Sequence, residues 1–149
     1  MKIGEAVENF ILKDQHGNEF DLYKNLDSNI LLVFYPKDNT LVCTKQLRDY
    51  SVNNSLFSEF GIKIIGVNID PVELHLAFCE QNNFDFPILS DKDKAVSKKF
   101  GAIGLFGMNK RKLVLIGKDK RLKFIRTTSP VNFLNSQSII AELKKSQLI

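Results

Sequence analysis

The sequence predicts an α/β protein with a mixed central sheet, flanking helices and an N-terminal β-hairpin. Two segments, residues 29–35 and 62–69, are continuous apolar runs, which is typical of strands buried on both faces. A helical pattern follows each of these runs. Near the C-terminus two more apolar segments are joined by a short polar turn and followed by a final helical pattern. This order of elements indicates parallel strands in the first half and an antiparallel pair in the second.

The first predicted elements are two short strands at residues 9–12 and 19–22. The segment between them contains Gly17, a residue that favours turns, so the pair is interpreted as a β-hairpin. After the first buried strand, apolar residues recur at helical spacing over residues 42–60. Gly61 follows them in the place of a C-cap residue, which predicts the end of one long helix.

The next helix is predicted from the pair Asp70 and Pro71. Asp is favoured at an N-cap and Pro at the first helical position, so a helix is expected from there to about Asn82. The remaining predicted elements are a short strand, a helix capped by Ser90 and Asp91, a hairpin and a final helix, at residues 86–89, 90–101, 112–125 and 131–145.

The composition is that of an ordinary globular protein. With 149 residues, 44% of them hydrophobic and 26% charged, the chain is interpreted as a single domain over residues 1–149. The net charge of +4 raises the question of nucleic acid. However, the basic clusters at 110–112 and 118–126 form neither a helix face nor an aromatic-laced groove. A solvated surface is the better interpretation, and no nucleic-acid partner is expected.

The sequence also gives expectations about location and metals. No early stretch resembles a signal peptide and no window is apolar enough for a membrane span, so no membrane partner is expected. Two cysteines do not make a secreted disulfide scaffold, which favours a reducing cytoplasm. His16 and His75 lack the spacing of metal ligands, so neither a metal site nor a cofactor is predicted.

Cys43 is the strongest candidate for chemistry, because it stands where an apolar strand gives way to a helical pattern. Unpaired N–H groups and the macrodipole at a helix N-terminus favour an anion, and the thiolate is the reactive form of cysteine. Thr40 can turn its hydroxyl toward the sulfur, and Pro36 can shield the site without an N–H of its own. A buried thiol that packs as a small hydrophobe is the alternative. The helix-start position indicates partial exposure instead.

The segment Phe-Tyr-Pro-Lys-Asp-Asn-Thr-Leu-Val-Cys-Thr at residues 34–44 resembles the active-site signature of the peroxiredoxins. Together with Leu-Ser-Asp at 89–91, it is most similar to the PrxQ or bacterioferritin-comigratory group. The resemblance covers nearly the whole chain. It implies a thioredoxin-like fold with an added N-terminal hairpin, and a thiol-dependent peroxidase that reduces hydrogen peroxide and organic hydroperoxides.

The resemblance implies roles for individual residues. Cys43 would attack the peroxide, with Thr40, Pro36 and an arginine completing the pocket. Arg111 fits that arginine, since a Gly-rich approach precedes it and an apolar run follows it. The alternative is that Arg111 is one of three adjacent surface cations. Gln46, one helical turn after Cys43, would orient the arginine or be an ordinary exposed helix residue.

A sulfenic acid on Cys43 must be resolved by a thiol. Many members of the group have the resolving cysteine five residues later, but this chain has Arg48 there. A less common subset places it on the next helix, where Cys79 stands. Phe78 is expected to share the buried face with Leu74, which would turn Cys79 toward partial exposure. The alternative is that Cys79 is a core thiol.

Three functions stay open at this stage. The first is a peroxidase that forms a Cys43–Cys79 disulfide and is recycled by thioredoxin. The second is a one-cysteine peroxidase resolved by an external thiol such as glutathione. The third is a non-catalytic thioredoxin-like binding module. The family resemblance implies a monomer, with a weak dimer as the alternative. Leu41 and Val42 replace a small Pro-Gly pair, which favours alkyl hydroperoxides.

Overall fold

A computed structural model describes all residues 1–149 of the chain. The strands are β1 (Ile11–Lys13), β2 (Glu19–Asp21), β3 (Asn29–Phe34), β4 (Ile62–Asn68), β5 (Ile88–Ser90), β6 (Arg111–Ile116) and β7 (Leu122–Thr128). The helices are α1 (Leu41–Val52), α2 (Asn54–Glu59), α3 (Val72–Asn82), α4 (Ala95–Lys99) and α5 (Ser136–Lys145). Two single 3-10 turns lie at Tyr23–Asn25 and Leu105–Gly107.

All seven strands form one mixed sheet in the order β2-β1-β5-β4-β3-β6-β7. β3, β4 and β5 are parallel, whereas β6 and β7 are antiparallel, and so is the hairpin β1–β2. The hairpin extends the sheet because β1 pairs antiparallel with β5. The predicted α/β class, the mixed sheet and the N-terminal hairpin are therefore confirmed.

Two apolar cores cover the two faces of the sheet. β3 supplies both: Leu31 and Val33 face one core, and Leu32 and Phe34 face the other, since side chains alternate along a strand. The first core is closed by buried side chains of the helices α1, α2, α3 and α5. The second contains the N-terminal segment and α4. Both cysteines lie in the first core.

Three predicted helices have different bounds in the structure. The one expected over 90–101 is shortened to α4 at Ala95–Lys99. The single helix expected over 42–60 is broken at Asn53, whose side chain donates to the carbonyl of Asp49 at 2.8 Å. An amide that bonds the local backbone competes with helical hydrogen bonds, which explains the break. The final helix begins at Ser136 instead of 131. Asn135 is its N-cap and accepts from the Ser138 N–H.

The prediction that Asp70 caps α3 is wrong. The N-cap is Pro71, with extended φ and ψ, and no side chain caps the helix. The Asp70 carboxylate instead accepts from the backbone N–H of Asp38 at 2.8 Å and from the Asn68 amide at 3.0 Å. The segment before α3 is thus bonded to the loop that leads toward Cys43.

None of the helices combines the length and the apolar character needed to cross a lipid bilayer.

Candidate active site

The structure brings Cys43 and Arg111 together across 68 residues of sequence. Cys43 lies in the first turn of α1, and Arg111 is the first residue of β6. An Arg111 Nη1–H donates to the Cys43 Sγ at 3.3 Å. This contact places the positive charge of the guanidinium directly beside the Cys43 sulfur. The alternative of a freely solvated Arg111 is excluded, because its residue exposure is 4%.

Sheet pairing explains why these two residues meet. β3 and β6 are antiparallel, with Phe34 opposite Lys112, so Arg111 stands beside the point where the chain leaves β3. The chain then forms a loop and enters α1 at Leu41. A residue at the start of β6 and a residue in the first turn of α1 therefore face the same end of the sheet.

The expectation that Cys43 is partly exposed is wrong, because its exposure is 0% in the reduced structure. The exposed Leu41 and the half-buried Val42 precede it, and it belongs to the apolar core. Its burial nevertheless differs from that of an ordinary core thiol, since the guanidinium group is buried with it. A charged group in that position needs hydrogen-bond partners, which Arg111 has at both Nη atoms but lacks at its buried Nε.

Arg111 is fixed by further hydrogen bonds. Its Nη1 also donates to Gln46 Oε1 at 2.7 Å, and its Nη2 donates to the Pro130 carbonyl at 2.8 Å. Gln46 is itself held, because its Nε2 donates to the Tyr50 hydroxyl at 3.1 Å. That hydroxyl donates to the Leu134 carbonyl at 2.6 Å, and burial raises the pKa of Tyr50. Gln46 is therefore a buried partner of the arginine and differs from an ordinary exposed helix residue.

Thr40 does not turn its hydroxyl toward the sulfur as expected. Its Oγ1 donates to the Lys37 carbonyl at 3.0 Å, and its own carbonyl accepts from the Thr44 N–H at 2.9 Å. Thr40 is the N-cap of α1, without a side-chain capping bond. The local loop explains this, since Asn39 has a φ of 61° and folds the chain back so that Lys37 O is close to the Thr40 hydroxyl.

Pro36 and Arg111 line the same cavity, whose volume is about 460 Å³. The strand β7 and the segment before β6 supply the other walls. Leu105 and Phe106 at its edge are exposed to 85% and 94%, and Met108 is also exposed. The cavity therefore combines a guanidinium group at its wall with an apolar rim.

Cys79 lies elsewhere on the same core, on α3. The expected orientation of this helix is wrong: Leu74 is 42% exposed, whereas Phe78 is fully buried and Cys79 is 6% exposed. Burial raises the pKa of the Cys79 thiol to about 12, and the negative charges of Asp38, Asp14 and Glu80 act in the same direction. Both cysteines are free thiols in this structure.

The helices that carry the two cysteines are joined at their surface. Arg48, on α1, donates its Nε–H to the Asn82 side-chain oxygen at 3.0 Å, and Asn82 is the last residue of α3. The Asn82 amide also donates to the Phe78 carbonyl at 2.9 Å. The position five residues after Cys43 thus holds a bridging arginine.

The sequence analysis missed a buried polar group around Asp38. Asp38 and His75 are 4% and 0% exposed, and their side chains are 2.6 Å apart at the closest. The available signal was a histidine within an otherwise apolar helical segment, followed four residues later by a cysteine. No group of three or more His, Cys, Asp or Glu side chains is arranged to hold a metal ion.

Comparison with known proteins connects this geometry to a family. The model of the AhpC/TSA family matches residues 3–125 of the chain. Among curated proteins, the bcp peroxiredoxin of Helicobacter pylori strain J99 is 36% identical over 135 residues, which are 89% of this chain and 82% of that protein. The chloroplastic peroxiredoxin Q of Arabidopsis thaliana is 36% identical over 105 residues, 70% of this chain and 49% of that protein.

Solved structures agree with these relatives. The peroxidoxin BcpB of Mycobacterium tuberculosis superposes with a TM-score of 0.85 at 29% identity, covering 100% of this chain and 98% of that one. A cysteine-to-serine mutant of the PrxQ of Xylella fastidiosa gives a TM-score of 0.87 at 24% identity, covering 99% and 98%, and supports the thioredoxin-like fold. The chain therefore belongs to the AhpC/TSA family of peroxiredoxins, within the PrxQ and bcp group, and is a thiol-dependent peroxidase.

Proposed function

We propose that Cys43 is the peroxide-attacking residue of this enzyme. The observation that carries the proposal is the 3.3 Å contact between the Arg111 guanidinium and the Cys43 sulfur. The thiolate attacks the terminal peroxide oxygen, the O–O bond breaks, and the other oxygen leaves as water or an alcohol after it takes up a proton. Cys43 becomes a sulfenic acid.

Arg111 acts on the charge that develops in this step. Ionising the thiol alone gains only a few-fold in rate, because a more acidic thiol is also a weaker nucleophile. Preorganised donors that stabilise the leaving oxygen contribute more, on the order of a hundred- to a thousandfold per donor. Arg111 is preorganised in this sense by Gln46 and Pro130. Pro36 lines the cavity beside it and excludes water, and Thr40 holds the loop at the start of α1.

Cys79 is the proposed resolving residue. Its thiol attacks the Cys43 sulfenic sulfur, a disulfide forms, and water leaves. A dithiol reductant of the thioredoxin type then regenerates both thiols. Since the two cysteines lie on separate helices and are both buried, the first turn of α1 and part of α3 must unwind before the sulfurs can bond.

The burial of Cys79 favours a second candidate, in which an external thiol such as glutathione resolves Cys43. A thiol with a pKa of about 12 and 6% exposure is a poor nucleophile in the folded state. In that case Cys79 is a structural residue of the core.

The proposed substrates are hydrogen peroxide and organic hydroperoxides. The apolar rim at Leu105 and Phe106, together with the exposed Leu41 at the start of α1, supports alkyl hydroperoxides. We further propose that the chain acts as one domain and as a monomer, in the cytoplasm, without a nucleic-acid or membrane partner.

Counting thiols separates the two candidates. The reduced protein is treated with one equivalent of hydrogen peroxide, its free thiols are titrated, and its mass is read on a non-reducing gel. Loss of both thiols in a monomeric product that requires Cys79 supports the intramolecular disulfide. Loss of one thiol supports the one-cysteine cycle. Cys43→Ser is the control, and equal peroxide consumption by this variant and the wild type would contradict the assignment of Cys43.

A further inference from the structure

Asp38 is the centre of a buried hydrogen-bond group between the active-site loop and α3. Its Oδ1 accepts from the Tyr35 hydroxyl at 2.6 Å and from the Asn68 amide at 3.2 Å. Its Oδ2 accepts from His75 Nδ1 at 2.6 Å. A buried carboxylate with three donors has its charge well compensated, so it is held in one place.

This geometry sets the state of the His75 ring. Because a carboxylate oxygen only accepts, the proton of the neutral ring lies on Nδ1 and the lone pair lies on Nε2. Nε2 is buried and has no hydrogen-bond partner within the protein. A buried polar atom without a partner costs free energy, and such an atom calls for an explanation. A carboxylate that orients an imidazole and leaves its other nitrogen free is the arrangement of a general base.

The nearest residue of the proposed chemistry on α3 is Cys79. It follows His75 by four residues, which places both on one side of the helix, and both are buried. The Cys79 thiol has a pKa of about 12, so about one molecule in 100,000 carries a thiolate there at pH 7. As long as α3 stays folded around Cys79, the resolving step therefore needs a group that accepts the thiol proton.

We infer that His75 accepts the proton of Cys79 in the resolving step, with Asp38 positioning the imidazole and stabilising its charged form. This inference rests on the proposed function. The thiol proton passes to His75 Nε2, the Cys79 sulfur bonds to the sulfenic sulfur of Cys43, and the S–O bond breaks. The leaving hydroxide takes the proton back from His75 and departs as water, so His75 ends the step neutral.

The position of His75 suits a base for a thiol that moves. It lies in the first turn of α3, where Asp38 holds it to the active-site loop. Cys79 lies one turn further on, toward the end that is joined to α1 by Arg48 and Asn82. We place the proton transfer before that end unwinds, while Cys79 still lies one helical turn from His75.

The other ionisable groups around His75 and Cys79 do not replace His75 as the proton acceptor. The pKa of Tyr35 is raised well above its usual value, first by burial and then by Asp38, and both cysteines contribute. Tyr35 therefore keeps its proton. Asp70 accepts from the Asp38 N–H and from the Asn68 amide, and it makes no hydrogen bond to His75. The remaining acidic groups that influence Cys79, Asp14 and Glu80, disfavour its thiolate.

The test follows the lifetime of the sulfenic acid. Reduced protein is mixed with one equivalent of hydrogen peroxide, and dimedone is added at intervals to trap Cys43 sulfenic acid for mass spectrometry, from pH 6 to pH 10. His75→Asn keeps a donor for Asp38 but removes the base. We expect the sulfenic acid to convert to disulfide about a hundredfold more slowly in this variant. Free imidazole in the buffer should restore part of the rate.

Tyr35→Phe is the matched control, because it removes one hydrogen bond from Asp38 and keeps the base. If it slows conversion as much as His75→Asn does, or if imidazole restores nothing, the role of His75 is structural and the inference fails.

The wild type gives a second test that needs no variant. With an imidazole as the proton acceptor, the conversion rate should level off within the range from pH 6 to pH 10 instead of following the hydroxide concentration.

A wild-type rate that instead rises tenfold per pH unit up to pH 10 would show direct ionisation of Cys79 and overturn the inference. The same traces report the proposed function separately. If the wild type forms no Cys79-dependent disulfide at any pH, the resolving role of Cys79 is contradicted. The inference about His75 then fails with it, because no resolving step by Cys79 takes place.

Discussion

The two cysteines are both buried in one apolar core, but the charges beside them have opposite signs. Cys43 has the Arg111 guanidinium at 3.3 Å. Cys79 has carboxylates in its surroundings, and its pKa is raised to about 12. Burial is common to both positions, with 0% exposure for Cys43 and 6% for Cys79. The difference teaches that two buried thiols are distinguished by the charge built in beside them, and on the proposed function Cys43 reacts first.

Removing the positive charge of Arg111 should produce the largest effect, which is a slower oxidation of Cys43. We expect Arg111→Met to slow Cys43 oxidation by hydrogen peroxide by about a hundred- to a thousandfold, because a preorganised donor to the transition state is lost. The rate is measured by rapid quenching and mass spectrometry in a Cys79→Ser background, so that Cys43 is the one cysteine that can be oxidised. Arg111→Lys is the control, since it keeps a positive charge without the planar fork of the guanidinium. Its oxidation rate should fall between those of the parent and of Arg111→Met. A rate within threefold of the parent for Arg111→Met contradicts the role.

The raised pKa of the Cys79 thiol can be tested by alkylation. In Cys43→Ser, the rate at which iodoacetamide modifies Cys79 should rise about a hundredfold between pH 9 and pH 11, because the thiolate fraction rises tenfold per unit below a pKa of about 12. The same chain unfolded in urea should level off above about pH 9. Equal pH profiles for folded and unfolded protein would show that the environment of Cys79 is not the cause.

Loss of the hydrogen bond between Gln46 and Arg111 should slow peroxide reduction by a smaller factor. Gln46→Leu removes the acceptor at 2.7 Å and leaves a guanidinium N–H with one partner fewer. We expect peroxide reduction to slow about tenfold, corresponding to about 1.4 kcal/mol of lost positioning. Lys45→Leu, at the exposed neighbouring position of α1, is the matched control and should change the rate by less than twofold. The same loss in both variants would indicate damage to the helix instead.

The smallest effect is on stability at high pH. Between about pH 9 and pH 12 the unfolded chain loses the Cys79 proton while the folded chain keeps it, so the free energy of unfolding falls as pH rises. The slope attributable to this group is about −1.4 kcal/mol per pH unit. Urea denaturation of reduced wild type and of Cys79→Ala at pH 8 and 10 measures it. Parallel slopes for the two proteins would contradict the raised pKa.

Much of the fold and part of the site could be predicted from the sequence. Buried strands and the N-terminal hairpin have strong local patterns, and a glycine marked the end of the helix at Gly61, whose φ is 70°. Cys43 and Arg111 were each found from their neighbours in the sequence. Their contact depends on the antiparallel pairing of β3 and β6, which brings together residues far apart in the chain.

The orientation of α3 could not be predicted from its apolar residues. Leu74 and Phe78 have the spacing of one helix face, but the structure buries His75 in place of Leu74. The reason is tertiary, because Asp38 is already buried in the loop and His75 is its partner. For the same reason Asp70 could not be recognised as a partner of the Asp38 backbone, since its position before Pro71 matches a helix cap.

The hydrogen bond between Arg48 and Asn82 has a consequence for how the enzyme meets a large dose of oxidant. Under the proposed cycle, parts of α1 and α3 must unwind before the two sulfurs bond, and this hydrogen bond holds the two helices together. While those helices stay together, a further peroxide molecule can carry Cys43 to the sulfinic acid, which thiols do not reverse. If the proposed cycle holds, the bridge thereby sets a ceiling on the oxidant concentration at which this protein keeps cycling.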